Sequence, residues 1–170
     1  MNNIIKILVI SILICPLKAY GQREAAEDPI IKIFNKFEDR DGVESVTISP
    51  ALLGLMRNDR TNDPKTQALI SRINGLRIIT ISDGEHGRGR ANREALTTEL
   101  QAAVKVDFEE IMIVRSGGER VELYVRSKDN KGALLFITSN ASTVTVMHLA
   151  GNIDKTLIDA VMNGEIGISR

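Results

Sequence analysis

Apolar and polar residues follow one another along this chain with two different periods, and the change of period divides it. From Asp28 to Glu38, Ile30, Ile33, Phe34 and Phe37 recur at i, i+3, i+4 and i+7, one stripe of an α-helix. Asp28 is suited to cap that helix, and Pro29 fits its first turn, where a missing amide hydrogen costs nothing. Asp39-Arg-Asp-Gly42 turns the chain, and Val43 to Ser49 predicts a strand. Ser49-Pro50 opens a short second helix, with Leu52, Leu53, Leu55 and Met56 expected to crowd one side. Arg57 to Lys65 is a polar loop. Thr66 to Ile73 predicts another turn or two of helix, ended by Asn74-Gly75. Leu76 to Ser82 predicts an isoleucine-rich strand, and Asn92 to Val106 a longer helix that buries Leu96, Leu100, Ala103 and Val104.

After that helix the period becomes two. Glu110 to Arg115, Arg120 to Ser127, Ala133 to Ser139 and Thr143 to Leu149 read as four strands, separated only by Ser116-Gly-Gly-Glu119, Lys128-Asp-Asn-Lys-Gly132 and Asn140-Ala-Ser142. Connections this short force antiparallel neighbours, hence a meander. Val121, Leu123 and Val125 alternate with polar residues, so their strand is expected to bury one face. Asp154 caps a last helix carrying Leu157, Ile158, Val161 and Met162, and Asn163 to Arg170 reads as a loose tail. The sum is an α+β domain: a largely antiparallel sheet with a C-terminal four-strand meander and helices packed on one face.

The first residues belong to a different grammar. A weakly basic start through Lys6 leads into the apolar run Ile7 to Leu17, followed by Lys18-Ala-Tyr-Gly-Gln22 with the small residues Ala19 and Gly21 two apart. This is the layout of a secretory signal peptide with cleavage after Gly21, and the run is shorter than the ~20 residues a membrane helix needs. The expected organisation is residues 1–21 as leader and 22–170 as a single exported, periplasmic or cell-envelope domain without a transmembrane helix. Cys15, the only cysteine, would leave with the leader. A lipid anchor on Cys15 wants a small residue before it, and Ile14 is not one. The remaining chain then has no thiol, which excludes disulfides, thiolate nucleophiles and cysteine-ligated metals. Twenty basic side chains face 22 acidic ones after Gly21, a net charge of about −2 that offers nothing to nucleic acid.

Candidate chemistry is thin. Ser82-Asp-Gly-Glu-His-Gly-Arg-Gly-Arg90 resembles a phosphate-cradling loop in composition, but Gly84, Gly87 and Gly89 fit neither the P-loop nor the dinucleotide spacing. Arg88 and Arg90, beside the start of the 92–106 helix, are the candidates for an anion site; the competing reading is a plain connector. His86 and His148, the only histidines, have no second ligand at metal spacing. Glu38, Asp39, Asp41 and Glu44 miss the calcium-loop order. No serine sits in a nucleophile elbow, and Glu109 and Glu110 are adjacent, so a strand would point them to opposite faces; Asp107 is no better constrained as their acid partner. Asn140-Ala-Ser142 matches a glycosylation sequon, with no weight in so tight a turn. No cofactor motif is present.

Three fragments taken together are similar to one family: Asp28-Pro-Ile-Ile-Lys-Ile-Phe-Asn-Lys-Phe37 with Asp41-Gly-Val-Glu-Ser-Val-Thr-Ile-Ser49, then Leu69-Ile-Ser-Arg-Ile-Asn-Gly-Leu-Arg77, then Leu149-Ala-Gly-Asn-Ile-Asp154. They resemble the Bacteroidota secreted proteins of domain-of-unknown-function family 4252, over nearly the whole chain after the leader. The resemblance implies export to the cell envelope and no established activity or catalytic residue. The leading expectation is therefore a non-enzymatic module that binds a protein or peptide partner, with exposed sheet edges as the docking element. The alternatives are a cofactor-free hydrolase using His86 or His148 with a carboxylate, and a carrier of a lipid or other hydrophobic ligand.

Overall fold

The computed structural model describes residues 28–57, 64–128 and 131–163. The leader read in residues 1–21, Cys15, residues 58–63 of the polar loop and most of the C-terminal tail lie outside them. In chain order the elements are α1 (Pro29–Phe37), β1 (Val43–Ile48), α2 (Pro50–Arg57), α3 (Pro64–Ile70), β2 (Ile73–Ser82), a 3-10 turn (Glu85–Gly87), α4 (Arg90–Asp107), β3 (Glu109–Ser116), β4 (Glu119–Lys128), β5 (Lys131–Ser139), β6 (Thr143–Gly151) and α5 (Lys155–Met162).

The six strands form one antiparallel sheet in the order β1-β2-β6-β5-β4-β3. The chain builds one edge with β1 and β2, crosses to the other edge, and meanders back through β3, β4 and β5 until β6 closes against β2. The crossing is α4. Its 18 residues span about 27 Å at 1.5 Å each, ample for the roughly 19 Å between β2 and β3 at ~4.8 Å per strand. The expected α+β class and meander are both present.

Helices cover both faces of the sheet, which is broader than the single-face packing expected from sequence. On one face α1 and α4 bury Phe34, Phe37, Leu96 and Leu100 against Ile79, Ile81, Leu135 and Val146. On the other α2, α3 and α5 bury Leu53, Leu69, Leu157 and Val161 against Leu123, Leu134, Met147 and Leu149. The reason is visible in the central strands. Ile78-Ile79 in β2, Leu134-Leu135 in β5 and Val146-Met147 in β6 are apolar at consecutive positions, so each strand offers both of its faces to a helix. β4 likewise buries Leu123 on one face and Glu122 and Tyr124 on the other, correcting the one-faced reading of that strand.

Two local boundaries also move. Asn74-Gly75 does not stop a helix: α3 ends at Ile70, Ser71-Arg72 makes the turn, and Gly75 lies within β2 beside an irregularity in its pairing with β6. In α2 only Leu53 is buried, while Leu52, Leu55 and Met56 stay exposed. A two-turn helix cannot turn positions 52, 53, 55 and 56 toward one sheet at once. Among the described residues no helix is long and apolar enough to cross a membrane.

Candidate functional site

The feature that stands apart from a closed globule is the β3 edge. β3 pairs with β4 alone among the described residues. It is eight residues long, Glu-Glu-Ile-Met-Ile-Val-Arg-Ser, with four apolar residues in a row and neither proline nor lysine. Ile111 and Val114 are exposed. The turn joining it to β4 fixes which backbone groups face outward. Gly117 and Gly118 both have positive φ, 58° and 85°, as a two-residue type I′ hairpin requires. Ser116 and Glu119 then form the closing hydrogen-bonded pair, and hydrogen-bonded and open pairs alternate from there. Val114 and Met112 point their amides inward to β4; Ile113 and Arg115 present N–H and C=O to the open side. A bulge at Ile111 interrupts the ladder toward the start of the strand.

The second face contributes a trough next to this edge. One cross-strand row runs Thr80, Thr145, Thr138, Val121, Val114 over β2, β6, β5, β4 and β3. The helices of that face sit at the opposite end of the sheet, so this row and the half-buried Phe136 next to it are left uncovered. The hollow measures about 310 Å³ and includes Arg120, Val121, Phe136, Thr138, Thr143 and Thr145. The Thr80 and Thr145 hydroxyls lie 3.1 Å apart. It is an open, partly polar trough on the sheet, unlike the enclosed apolar cavity a lipid carrier needs.

Beneath α4, on the first face, period two assembles a partly buried polar row that sequence reading missed. Arg120, Glu122, Tyr124 and Arg126 alternate along β4 and so share a side. The Glu122 carboxylate, 3% exposed, accepts from Arg120 Nη2 at 2.5 Å, Tyr124 Oη at 2.7 Å and, more loosely, Gln101 Nε2 at 3.4 Å. Burial pushes this carboxyl up, but the Arg120 and Tyr124 donors outweigh it and hold it below the ordinary glutamate value. Burial, with the Glu122 charge, raises the Tyr124 phenol. The hollow beside the cluster is about 20 Å³, room for a water and no substrate.

The sequence-selected residues do not converge. His148 is 2% exposed beneath α1, its ring edge-on to Phe34. Its Nε2 is 3.2 Å from Asp28 Oδ2 but outside hydrogen-bond alignment. Asp28 also caps α1 through the Ile30 amide and pairs with Arg126. Burial raises its carboxyl, yet His148, Arg126 and the Ile30 amide together hold it far below the carboxylate range. His148 thus meets an acid inside the core, and it is not among the residues lining the three hollows described. His86 is exposed on the 3-10 turn with φ 69°. Arg88 and Arg90 flank the start of α4, where Asp83 is seated: Arg93 grips it at 2.6 and 3.2 Å, and Arg90 stands 3.6 Å away. The Arg93 hydrogen bond, against slight burial, lowers the Asp83 carboxyl. The hollow there, about 330 Å³, brings Arg88 together with the carboxylates of Asp41 and Asp83, so an incoming anion would meet both. Asn140 turns inward on its own hairpin, accepting from the Ser142 and Thr143 amides. Glu109 and Glu110 lie at the start of β3, facing Val125 and Tyr124. Among the described residues no group of three His, Cys, Asp or Glu side chains is placed to hold a metal.

No curated protein and no solved structure matches the chain. A family model does: residues 37–161, from the end of α1 to the last turn of α5 and including the whole sheet, match the domain of unknown function DUF4252. The chain therefore belongs to the DUF4252 family.

Proposed function

We propose that this chain is an exported, periplasmic module of the cell envelope that works by binding and not by catalysis, adding an extended segment of a protein or peptide partner to the β3 edge. One observation supports the reading above the others: an eight-residue edge strand with exposed Ile111 and Val114 and outward-facing amides at Ile113 and Arg115. An added strand would satisfy those amides, and its side chains on the second face would extend the Val121–Val114 row outward from the trough. Export rests on the leader read in residues 1–21.

Proline at position 115 tests the docking. Arg115 is exposed and its N–H faces away from β4, so Arg115→Pro removes a donor for an incoming strand while sparing the existing ladder. Envelope partners captured by the unaltered chain are expected to be lost by R115P and by Ile113→Pro, with unchanged circular dichroism. Undiminished capture by both variants refutes the β3 assignment. Sequencing the N-terminus of protein recovered from its native cell tests export: a start at Gln22 supports it and an intact Met1 refutes it.

A further inference from the structure

We infer that the strand added to β3 includes β3 of a second copy of this chain, antiparallel, across a two-fold axis at Ile113. The inference rests on the reading of β3 as an open docking edge and names one occupant for it. Charge and register both favour this occupant. β3 begins with Glu109-Glu110 and ends with Arg115, and between them lie only Ile111, Met112, Ile113 and Val114. An antiparallel second copy sets the acidic start of each strand beside the basic end of the other; a parallel copy would set acid beside acid. Among the described residues neither Glu110 nor Arg115 has a side-chain hydrogen bond or ion pair. Arg115 lies directly across from Arg120 on β4, a like-charge pair that costs stability until a carboxylate approaches from the open side. Arg120 is itself committed to Glu122.

Register agrees with charge. Ile113 presents its amide and carbonyl outward, so two copies of Ile113 can exchange both hydrogen bonds on the axis. Met112 of each copy then faces Val114 of the other on the second face, covering side chains left exposed or half-buried in the single chain. The bulge at Ile111 admits two residues opposite one, which leaves the Glu109-Glu110 end free to meet Arg115 of the other copy. The opposite edge has no such complement: β1, Val-Glu-Ser-Val-Thr-Ile, carries Glu44 and no basic residue. The product would be a continuous twelve-stranded sheet.

The test uses the chain with Cys15→Ser, so that any thiol is one introduced deliberately. In sedimentation equilibrium the chain is expected to dimerise with rising concentration. Arg115→Glu alone, or Glu109→Lys with Glu110→Lys, is expected to weaken dimerisation ~10-fold or more through like-charge apposition, and the triple variant to restore it. Ile113→Cys is expected to cross-link two copies on mild oxidation, because paired positions on an antiparallel ladder lie within disulfide reach. A strictly monomeric chain, or a dimer indifferent to the charge reversals and not cross-linked through position 113, overturns the inference. If such a monomer still loses partner capture on R115P, the edge takes other strands and only the second-copy assignment falls; if R115P changes nothing either, both readings fall.

Discussion

Asp28 and Arg126 stand 98 positions apart and meet as an ion pair at the N-terminus of α1. The same carboxylate caps the helix at the Ile30 amide, 2.9 Å away, and lies against His148. Arg126 in turn stacks over Phe108, its guanidinium 4.9 Å from the ring centre, where α4 gives way to β3. One side chain thus ties the first helix to the sheet and to the root of the β3 edge. Asp28→Ala is expected to cost about 2–4 kcal/mol in urea unfolding, the sum of a lost cap and a partly buried pair left without its anion. Asp28→Asn keeps a capping oxygen and is expected to recover about 1 kcal/mol of that loss.

Acid should unfold the protein through the same groups. Asp28 and Glu122 both have carboxyls held below their ordinary values in the folded chain. A depressed folded pKa means that the unfolded state binds protons first as pH falls. The stability these groups contribute is complete above the unfolded carboxylate range, near pH 4, and drains away below it. The urea midpoint is therefore expected to hold from pH 7 to about pH 5 and to fall steeply between pH 5 and 2. Asp28→Asn and Glu122→Gln should each flatten that fall. An unaltered slope in both variants would place the acid sensitivity elsewhere.

The Glu122–Tyr124 bond offers an optical readout. The chain has two tyrosines, Tyr20 and Tyr124, so removal of the leader leaves Tyr124 as the sole phenol. Its ionisation, followed by ultraviolet absorbance, is expected above the ordinary tyrosine range because burial and the Glu122 charge both oppose the phenolate. Glu122→Gln removes the charge and should bring the titration down toward that range. Tyr124→Phe deletes a donor to a buried carboxylate and is expected to cost roughly 1.5–3 kcal/mol.

Much of the fold was legible because period and punctuation agreed. In α1 the i, i+3, i+4, i+7 spacing, Asp28 and Pro29 pointed to one answer, and all four stripe residues are buried. The meander was legible because three short connections allow nothing else. Helix placement was obscured by the doubly apolar central strands, since Leu134-Leu135 reads only as a hydrophobic run until helices are seen on each side. The partly buried polar row carries a signal in the sequence: Arg120, Glu122, Tyr124 and Arg126 stand two apart on a strand, on the side opposite Val121 and Leu123. The edge position of β3 could not be read at all, because strand order depends on where α4 crosses. His148 meeting Asp28 is of the same kind, a contact 120 residues apart that only the packed sheet creates.

The glycine loop uses glycine in two different ways within one segment. Gly89 is packed so closely that a Cβ would come within 1.9 Å of the Ser82 carbonyl oxygen, with Asp83 backbone beside it. That contact is backbone on backbone and cannot be relieved by a rotamer. Its purpose is to let the end of β2 and the start of α4 meet, where the Gly89 amide bonds the Asp83 carbonyl at 3.0 Å and Arg93 grips the Asp83 side chain. Gly84 and Gly87 face open space, and their need is only for positive φ, 65° and 67°. Gly89→Ala is therefore expected to cost about 2–4 kcal/mol by forcing β2 and α4 apart, as overpacking against rigid atoms does. Gly87→Ala is expected to cost about 1 kcal/mol, the price of a left-handed alanine, and Gly84→Ala about 1–3 kcal/mol, because φ 65° with ψ −176° is a conformation kept almost wholly to glycine. Denaturation of the three variants side by side measures the order. If the loop instead existed to seat an anion, the three substitutions should resemble one another in stability and differ in phosphate binding; a cost largest at Gly89 and visible without any ligand identifies Gly89 as a joint between strand and helix.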